Sequence, residues 1–501
     1  MNRNIIKKKI NQIRKSNKTI GLCHGVFDLI HYGHIKHFES AKKKCDYLYV
    51  SITSDEYIKK GPMRPIHENE ERIKFLQSLK FIDYVFLANG ESGADSINLI
   101  KPDFYFKGSD YKNNELDKTK KIIQEITAVK KNKGKVVYTN EKHMSSSKII
   151  NEFGLALNIE QSQFINQIKK HNSYNDIIRS LNELKNTKVL VVGDLIIDRY
   201  IFGDVMGKSG KEPHMVFNQY KEEMYIGGSA IIANHLSEFV NKITLVSDCG
   251  RENNIKTLLN KKLKKNITHI PLSPDKNYKS SIKTRFIDTV SSYKLFGSYI
   301  LPNLKISKFY QLLNNVIKKN IKNHELIIVA DFSNNFFDLK SLKKIKESKK
   351  FICGMSQKNS NISLFHTLSH LNNFDLICIN EGELRSEVRD KKNDINLIAK
   401  KYLKNNNLKY LVITKGIDGS ILVDSKLNIY SCPSFNSKPI DKVGGGDSML
   451  AIISILLKKK INPSVALLIA SLVASNVVNN IGNKYSASKM EIDRSLEYIF
   501  K

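Results

Sequence analysis

The chain has 501 residues, 41% of them hydrophobic and 26% charged, and a formal net charge of +32. At about 100–200 residues per domain it is too long for one hydrophobic core, and its apolar content excludes a disordered polymer. Its lysines are scattered, with no Arg-rich block, interleaved aromatics or zinc-finger spacing, so the charge reads as a Lys-rich compositional bias that also suits anionic substrates, rather than as nucleic-acid binding.

In chain order, the start MNRNIIKKKINQIRKSNK is basic but lacks the apolar stretch of a secretory signal. TIGLC reads as a strand, and GVFDLIHYGHIKHF follows it. Ile35, Phe38, Ala41 and Cys45 then recur at helical spacing before the strand YLYVSIT. That is one βαβ unit, which implies a parallel sheet. YVFLA, DFYFK and KVVYT continue the alternation, giving a first domain over 1–153. Residues 154–187 read as a helical linker. A second alternation runs over 188–501, from KVLVVGDLIIDRY through KITLVSD, ELIIVADF, FDLICIN and YLVITKG to helices after Gly446. PSVALLIASLVASNVV is too short for a membrane span and reads as a buried helix. The six cysteines are dispersed without a CxxC pair, against a disulfide framework or a zinc cluster and in keeping with a reducing cytosol. A cytoplasmic protein free of the membrane is expected.

Two stretches carry chemistry. In GVFDLIHYGHIKHF, Gly25 and Phe27 stand where a strand ends, and His31 and His34 where a helix begins. A helix amino terminus offers unpaired N–H groups and positive partial charge to phosphate. Two imidazoles there can stabilise charge developing on an attacked phosphate. No nucleophilic side chain is required, because such transfer rests on positioning and electrostatics.

With KGPMRPIHENEERIKFLQSLKFIDYVF, LIKPDFYFKGSDY and HMSSSKIINEF in that order, the first domain resembles the cytidylyltransferase-like nucleotidyltransferases. The resemblance implies a Rossmann-like fold in which Gly25 and Phe27 are nucleotide-binding and His31 and His34 meet the triphosphate. It implies that Ser145, Ser146 and Ser147 open a phosphate-holding helix beside Lys148, and that Arg64 and Lys107 contact phosphate or substrate. Class I aminoacyl-tRNA synthetases also pair HxGH with a Met-Ser-rich lysine loop. They need a much larger catalytic region and an anticodon-binding part, and neither is visible here.

The second stretch is VGGGDSM. Gly444, Gly445 and Gly446 can present N–H groups to a transferring phosphoryl group, and Asp447 can take a hydroxyl proton as general base. Upstream, Asp194 and Asp198 end a strand where carboxylates can hold sugar hydroxyls. Gly227 and Gly228 precede a helix, and SIKTRF supplies Lys283 and Arg285. INEGE places Asn380 and Glu383 at a spacing suited to magnesium-bound water, and VITKGIDGS places Thr414, Gly416 and Gly419 on a strand and turn. Together these resemble the ribokinase-like (PfkB-like) sugar kinases from about Lys188 onward. That implies an α/β domain with a small β lid, Asp447 as base, an anion hole at 444–446, Mg2+ near Asn380 and Glu383, and ATP at Thr414–Gly419. Three departures fall on the sugar side: Ile231 where the family often has Asn, Asn334 near a usual lysine, and GMSQKNSN for a more familiar Asp-Pro-Lys stretch.

A sugar kinase joined to a nucleotidyltransferase resembles the bifunctional heptose-phosphate kinase/adenylyltransferases of surface-polysaccharide synthesis, in reversed domain order. The expected chemistry is Mg·ATP-dependent phosphorylation of a sugar or sugar phosphate and coupling of a sugar phosphate to a nucleotide from ATP or CTP, with pyrophosphate released. The alternatives are a chain active only as the nucleotidyltransferase, and a basic nucleic-acid binder. A homodimer is left open.

Overall fold

The computed structural model describes residues 3–58, 65–108, 121–139, 157–291, 293–301, 307–357, 368–436 and 439–500. They form two compact units that divide between Asn158 and Ile159.

The first unit holds five parallel strands: β1 (Ile20–Gly25), β2 (Tyr47–Thr53), β3 (Tyr84–Ala88), β4 (Phe104–Gly108) and β5 (Lys135–Thr139). β1 and β2 read as near-continuous apolar runs because helices cover both faces, as parallel sheets require. Leu22 joins a core on one face with Tyr49, Phe86 and Ile97, and Cys23 joins a core on the other with Phe38, Val50 and Phe106. Ile6, Ile10 and Ile13 bury one stripe of the helix Arg3–Lys15 in the first of these cores. The order β3-β2-β1-β4-β5 reverses direction between β1 and β4. Ligand crevices in open α/β sheets lie at such a reversal, beyond the carboxyl ends of the strands.

The second unit begins inside the segment expected to be a linker. Its helices Ile159–Lys169 and Tyr174–Glu183 pack there through Phe164, Ile165, Ile168, Ile177 and Leu181, and Tyr174 hydrogen-bonds Asp493. The strands are β6 (Lys188–Gly193), β7 (Leu195–Lys208), β8 (Met215–Gly228), β9 (Lys242–Asp248), β10 (Ile267–Leu272), β11 (Ser281–Asp288), β12 (Lys294–Ile300), β13 (Leu326–Asp331), β14 (Phe351–Ser356), β15 (Leu376–Asn380), β16 (Tyr410–Thr414), β17 (Ser420–Asp424) and β18 (Ile429–Cys432). Nine of them make the sheet β10-β9-β6-β13-β14-β15-β16-β17-β18, parallel up to β16 and antiparallel at the β17–β18 edge. The other four make a lid, β12-β11-β7-β8. The lid is a direct continuation of the main sheet, because only Asp194 separates β6 from β7.

The glycine-rich stretch caps the helix Gly445–Lys458, whose residues from Asp447 to Leu457 are all buried. The apolar run Pro463–Val478 is a buried helix, with Pro463 in its first turn and Asn462 capping it. Among the described residues no helix is long and apolar enough to cross a membrane. All six cysteines are buried and free.

Candidate active sites

In the first unit the HxGH stretch lies at the reversal point. His31 is the extended N-cap of the helix Tyr32–Lys42, and its ring stacks on His34 with centroids 3.9 Å apart. Phe27, in the left-handed region at φ 49°, sets its ring edge-on to His34 at 5.3 Å. Gly25 leaves room for this ring, since a Cβ there would stand 2.9 Å from it and Phe27 would have to shift. Both ring nitrogens of His31 are covered and have no hydrogen-bond partner among the described residues. Burial holds the His31 imidazole below its ordinary pKa, so it is neutral at pH 7 with one N–H to donate.

Lys107 ends β4 beside β1 but is not on the surface. It is buried and pairs with Glu125 at 2.8 Å. Glu125 also accepts the Gly93 N–H at 2.9 Å. Burial would push the Glu125 carboxyl up, but Lys107 and its other partners outweigh that and leave it below its ordinary value. Burial first and Lys107 second lower the neighbouring His24 to about 4. Sequence reasoning missed Glu125, which sits in a helix face that reads as solvated.

It also missed Arg72. This guanidinium is wholly buried, donates to the carbonyls of Val26, Thr53 and His67, and pairs with Asp55 at 2.5 Å. Asp28 accepts the N–H groups of Ile66 and His67. Together they pin the loop after β1. Arg64 and the Ser145, Ser146, Ser147 and Lys148 loop lie outside the described residues.

In the second unit a cleft of about 610 Å³ runs beyond the carboxyl ends of the central strands and under the lid. It is lined by Asp198, Gly228, Lys283, Arg285, Asn380, Glu383, Thr414, Gly416, Gly419, Gly444, Gly445, Gly446 and Asp447, so residues far apart in sequence meet there. Gly444 caps its helix at φ 84°, and a Cβ there would stand 2.3 Å from the Asn483 Oδ1. The N–H groups after it lack acceptors within the helix, as at any helix start, and Gly445 and Gly446 line the cleft. Asp447 is 8% exposed. Burial raises its carboxyl to about 7, with Asp198 and Glu383 adding to the rise and Lys283 opposing it. A carboxylate poised near neutrality suits a general base.

Asp198 is held from two sides, by Arg285 Nη1 at 2.6 Å and by the Asn483 side-chain amide at 2.8 Å. Lys283 stands 5.9 Å from the Tyr299 and Phe332 ring centroids, and burial lowers its ammonium pKa. Thr414 ends β16, and Gly416 and Gly419 bend the following turn with positive φ.

Two placements differ from the expectation, and a third carries an added structural role. Asp194 does not line the cleft; it is buried behind it, accepting the Phe332 N–H at 2.7 Å. Gly227 is absent from the lining too, and supports it instead, because a Cβ would stand 2.5 Å from Asp198 Oδ2. The Asn380–Glu383 spacing is foremost a capping box: Asn380 Oδ1 accepts the Glu383 N–H and Glu383 accepts the Asn380 N–H. Of the three sugar-side departures, Ile231 is buried in the helix Ser229–Leu236 and Asn334 is buried beside Asp194, neither lining the cleft, whereas Met355 and Gln357 of the GMSQKNSN stretch do line it. Asn483, Asp441 and Tyr299 went unread, since each lies outside any glycine- or charge-marked motif.

The comparisons with known proteins follow the same division. The description "Cytidylyltransferase-like" matches residues 22–152, and "pfkB family carbohydrate kinase" matches residues 186–490. The chain is 37% identical over 102 residues to the "Bifunctional protein HldE" of Campylobacter fetus, covering 20% of this chain and 22% of that protein. It is 38% identical over 106 residues to that of a Nitratiruptor species, covering 21% and 23%. The chain thus spans about a fifth of the length of these curated relatives. Escherichia coli phosphofructokinase-2, solved with substrates and products, shares the fold at a TM-score of 0.50 and 14% identity, over 63% of this chain and all of that one. With residues 186–490 matched, more than half of its length, this chain belongs to the pfkB family of carbohydrate kinases and carries a cytidylyltransferase-like domain in front of the kinase fold.

Proposed function

We propose that the chain is a bifunctional sugar-activating enzyme. The second unit transfers the γ-phosphoryl group of ATP to a hydroxyl of a sugar or sugar phosphate, heptose-like in class. The first couples a sugar phosphate to a nucleotide from ATP or CTP and releases pyrophosphate. The observation that carries the reading is the placement of Asp447. Its carboxylate, raised to about 7, shares one cleft with the N–H groups of Gly444–Gly446 and with the Asp198–Arg285–Lys283 cluster.

Asp198 orients the acceptor hydroxyl, and Asp447 removes its proton as the phosphoryl group moves onto it. The N–H groups at Gly444–Gly446 and the Lys283 ammonium take up charge on the transferred oxygens. Thr414, Gly416 and Gly419 carry the nucleotide. Mg2+ suits the oxygen donors Asn380 and Glu383. Among the described residues no group of three or more His, Cys, Asp or Glu forms a cage, which fits an ion carried mainly by phosphates and water. When bound it neutralises phosphate charge.

In the first unit His31 and His34 donate to the α-phosphate region of the nucleotide, and Glu125 holds Lys107 at the end of β4. The test is a mass-spectrometric screen of purified protein against nucleoside triphosphates and sugar phosphates. Phosphorylated sugar lost in Asp447→Ala, and nucleotide-sugar lost in His34→Ala, are expected. Wild-type turnover of neither kind across the screen refutes the proposal.

A further inference from the structure

Behind the triglycine loop, one carboxylate collects donors from four segments. Asp441 has a side chain 2% exposed. Its Oδ1 accepts Lys294 Nζ at 2.5 Å and the Val443 N–H at 3.1 Å. Its Oδ2 accepts the Tyr200 hydroxyl at 2.7 Å and the Gly482 N–H at 3.0 Å. Val443 leads directly into Gly444–Gly446. Gly482 adjoins Asn483, whose amide holds Asp198. Tyr200 lies on β7 and Lys294 on β12, so two of the four donors come from the lid.

The pair differs from an ordinary surface ion pair, which contributes little because both partners stay hydrated and mobile. Here the acceptor is buried and fixed by three other hydrogen bonds, and the lysine alone reaches solvent. Burial favours the protonated acid, yet Lys294 and then Tyr200 outweigh it and keep the Asp441 carboxyl below its ordinary value. Without the ammonium, a buried carboxylate loses its ion-pair partner, and the backbone tied to it through Val443 is free to shift.

We infer that Lys294 is a positioning residue for phosphoryl transfer: the lid delivers its ammonium to Asp441, which locks the backbone leading into Gly444–Gly446 in its anion-binding form. The lid is thereby coupled to the anion site as well as covering the acceptor. The functional half of this inference rests on the kinase reading above, and the structural half does not.

Two measurements separate them. Amide hydrogen exchange of the Lys442–Asp447 segment in Lys294→Met is expected to quicken about tenfold or more, with the central strands unchanged. On the best acceptor, kcat of the same variant is expected to fall about 10–100-fold, the scale of a small misplacement of reacting groups, while KM for ATP moves less than about threefold. Lys294→Arg restores most of both. Unchanged exchange in Lys294→Met overturns the inference, as does exchange raised throughout the unit or an equal loss in Met and Arg variants. If wild type phosphorylates no acceptor, the kinase reading fails, and the exchange arm still decides the clamp.

Discussion

Replacing Asp447 by Asn should abolish phosphorylation and at the same time stabilise the second unit at alkaline pH. The fold raises this carboxyl from its ordinary 3.8 to about 7. A group whose folded pKa lies above its unfolded one contributes fully below the unfolded value and loses that contribution as pH rises to the folded one. Between pH 4 and 7 the unfolded chain ionises this group while the fold keeps it protonated, so the native state loses stability progressively with pH. At 1.36 kcal/mol per pH unit, the interval corresponds to about 4 kcal/mol at pH 8. The asparagine side chain carries no charge at any pH, so the variant should gain roughly that amount at pH 8 and close to nothing below pH 4. Urea unfolding followed by a probe in the second unit, at pH 4, 6 and 8, measures it. A variant no more stable than wild type at pH 8, or one whose gain is independent of pH, refutes the assignment of a strained buried carboxylate. If Asp447 is the base proposed above, the acidic limb of kcat/KM for phosphorylation should follow it, with activity falling about tenfold per unit below pH 7. Lys283→Met should move that limb upward, which separates it from the ionisation of ATP itself.

Removing either imidazole of the first site, in His31→Ala or His34→Ala, should cost on the order of 10²–10³ in nucleotidyl transfer while phosphorylation by the second unit persists; a loss below about threefold contradicts the role. Glu125→Ala breaks the buried Lys107–Glu125 ion pair and should destabilise the first unit by about 3–5 kcal/mol, read by thermal unfolding. The apolar double variant Lys107→Met/Glu125→Leu should recover most of that loss in stability without recovering activity. Gly444→Ala forces a side chain into a left-handed position, against Asn483, and should lower kcat while costing about 1–3 kcal/mol in strain; wild-type kinetics in this variant would mean the loop is no anion site.

Much of this arrangement was legible in the chain because buried parallel strands announce themselves. IGLC, YLYVSIT, LIIVAD and YLVIT are apolar on both faces, and all fall in the sheets. The lid strands were not located, for the opposite reason. β8 is MVFNQYKEEMYIGG and β12 is exposed along its length, so neither carries an apolar run to betray it. Motifs that end a strand or open a helix were legible too, since a glycine or a cap marks them. Side chains that reach a site from another segment were not. Asn483 and Asp441 meet Asp198 and Lys294 only through tertiary folding, and Arg72 reads as surface charge in ENEERIKFL while being wholly buried. Asp194 erred the other way. Its closeness to Asp198 in sequence suggested a shared task, but it stands at the junction of two sheets, where its carboxylate is taken up by the Phe332 N–H.

The lid grows out of the middle of the sheet with one intervening residue, and its strands β7, β11 and β12 bear Asp198, Lys283, Arg285 and Tyr299. Thr414, Gly416, Gly419 and the 444–447 turn hang on the other side of the cleft, from separate strands and a separate helix. On the proposed function, choice of acceptor and handling of the nucleotide are thereby written on different pieces of chain. On the proposed reading, a lineage can retarget such an enzyme by rewriting a few positions on the lid, leaving the nucleotide half untouched. It is constrained chiefly where the two halves are stitched together, at Asp441 and Asn483.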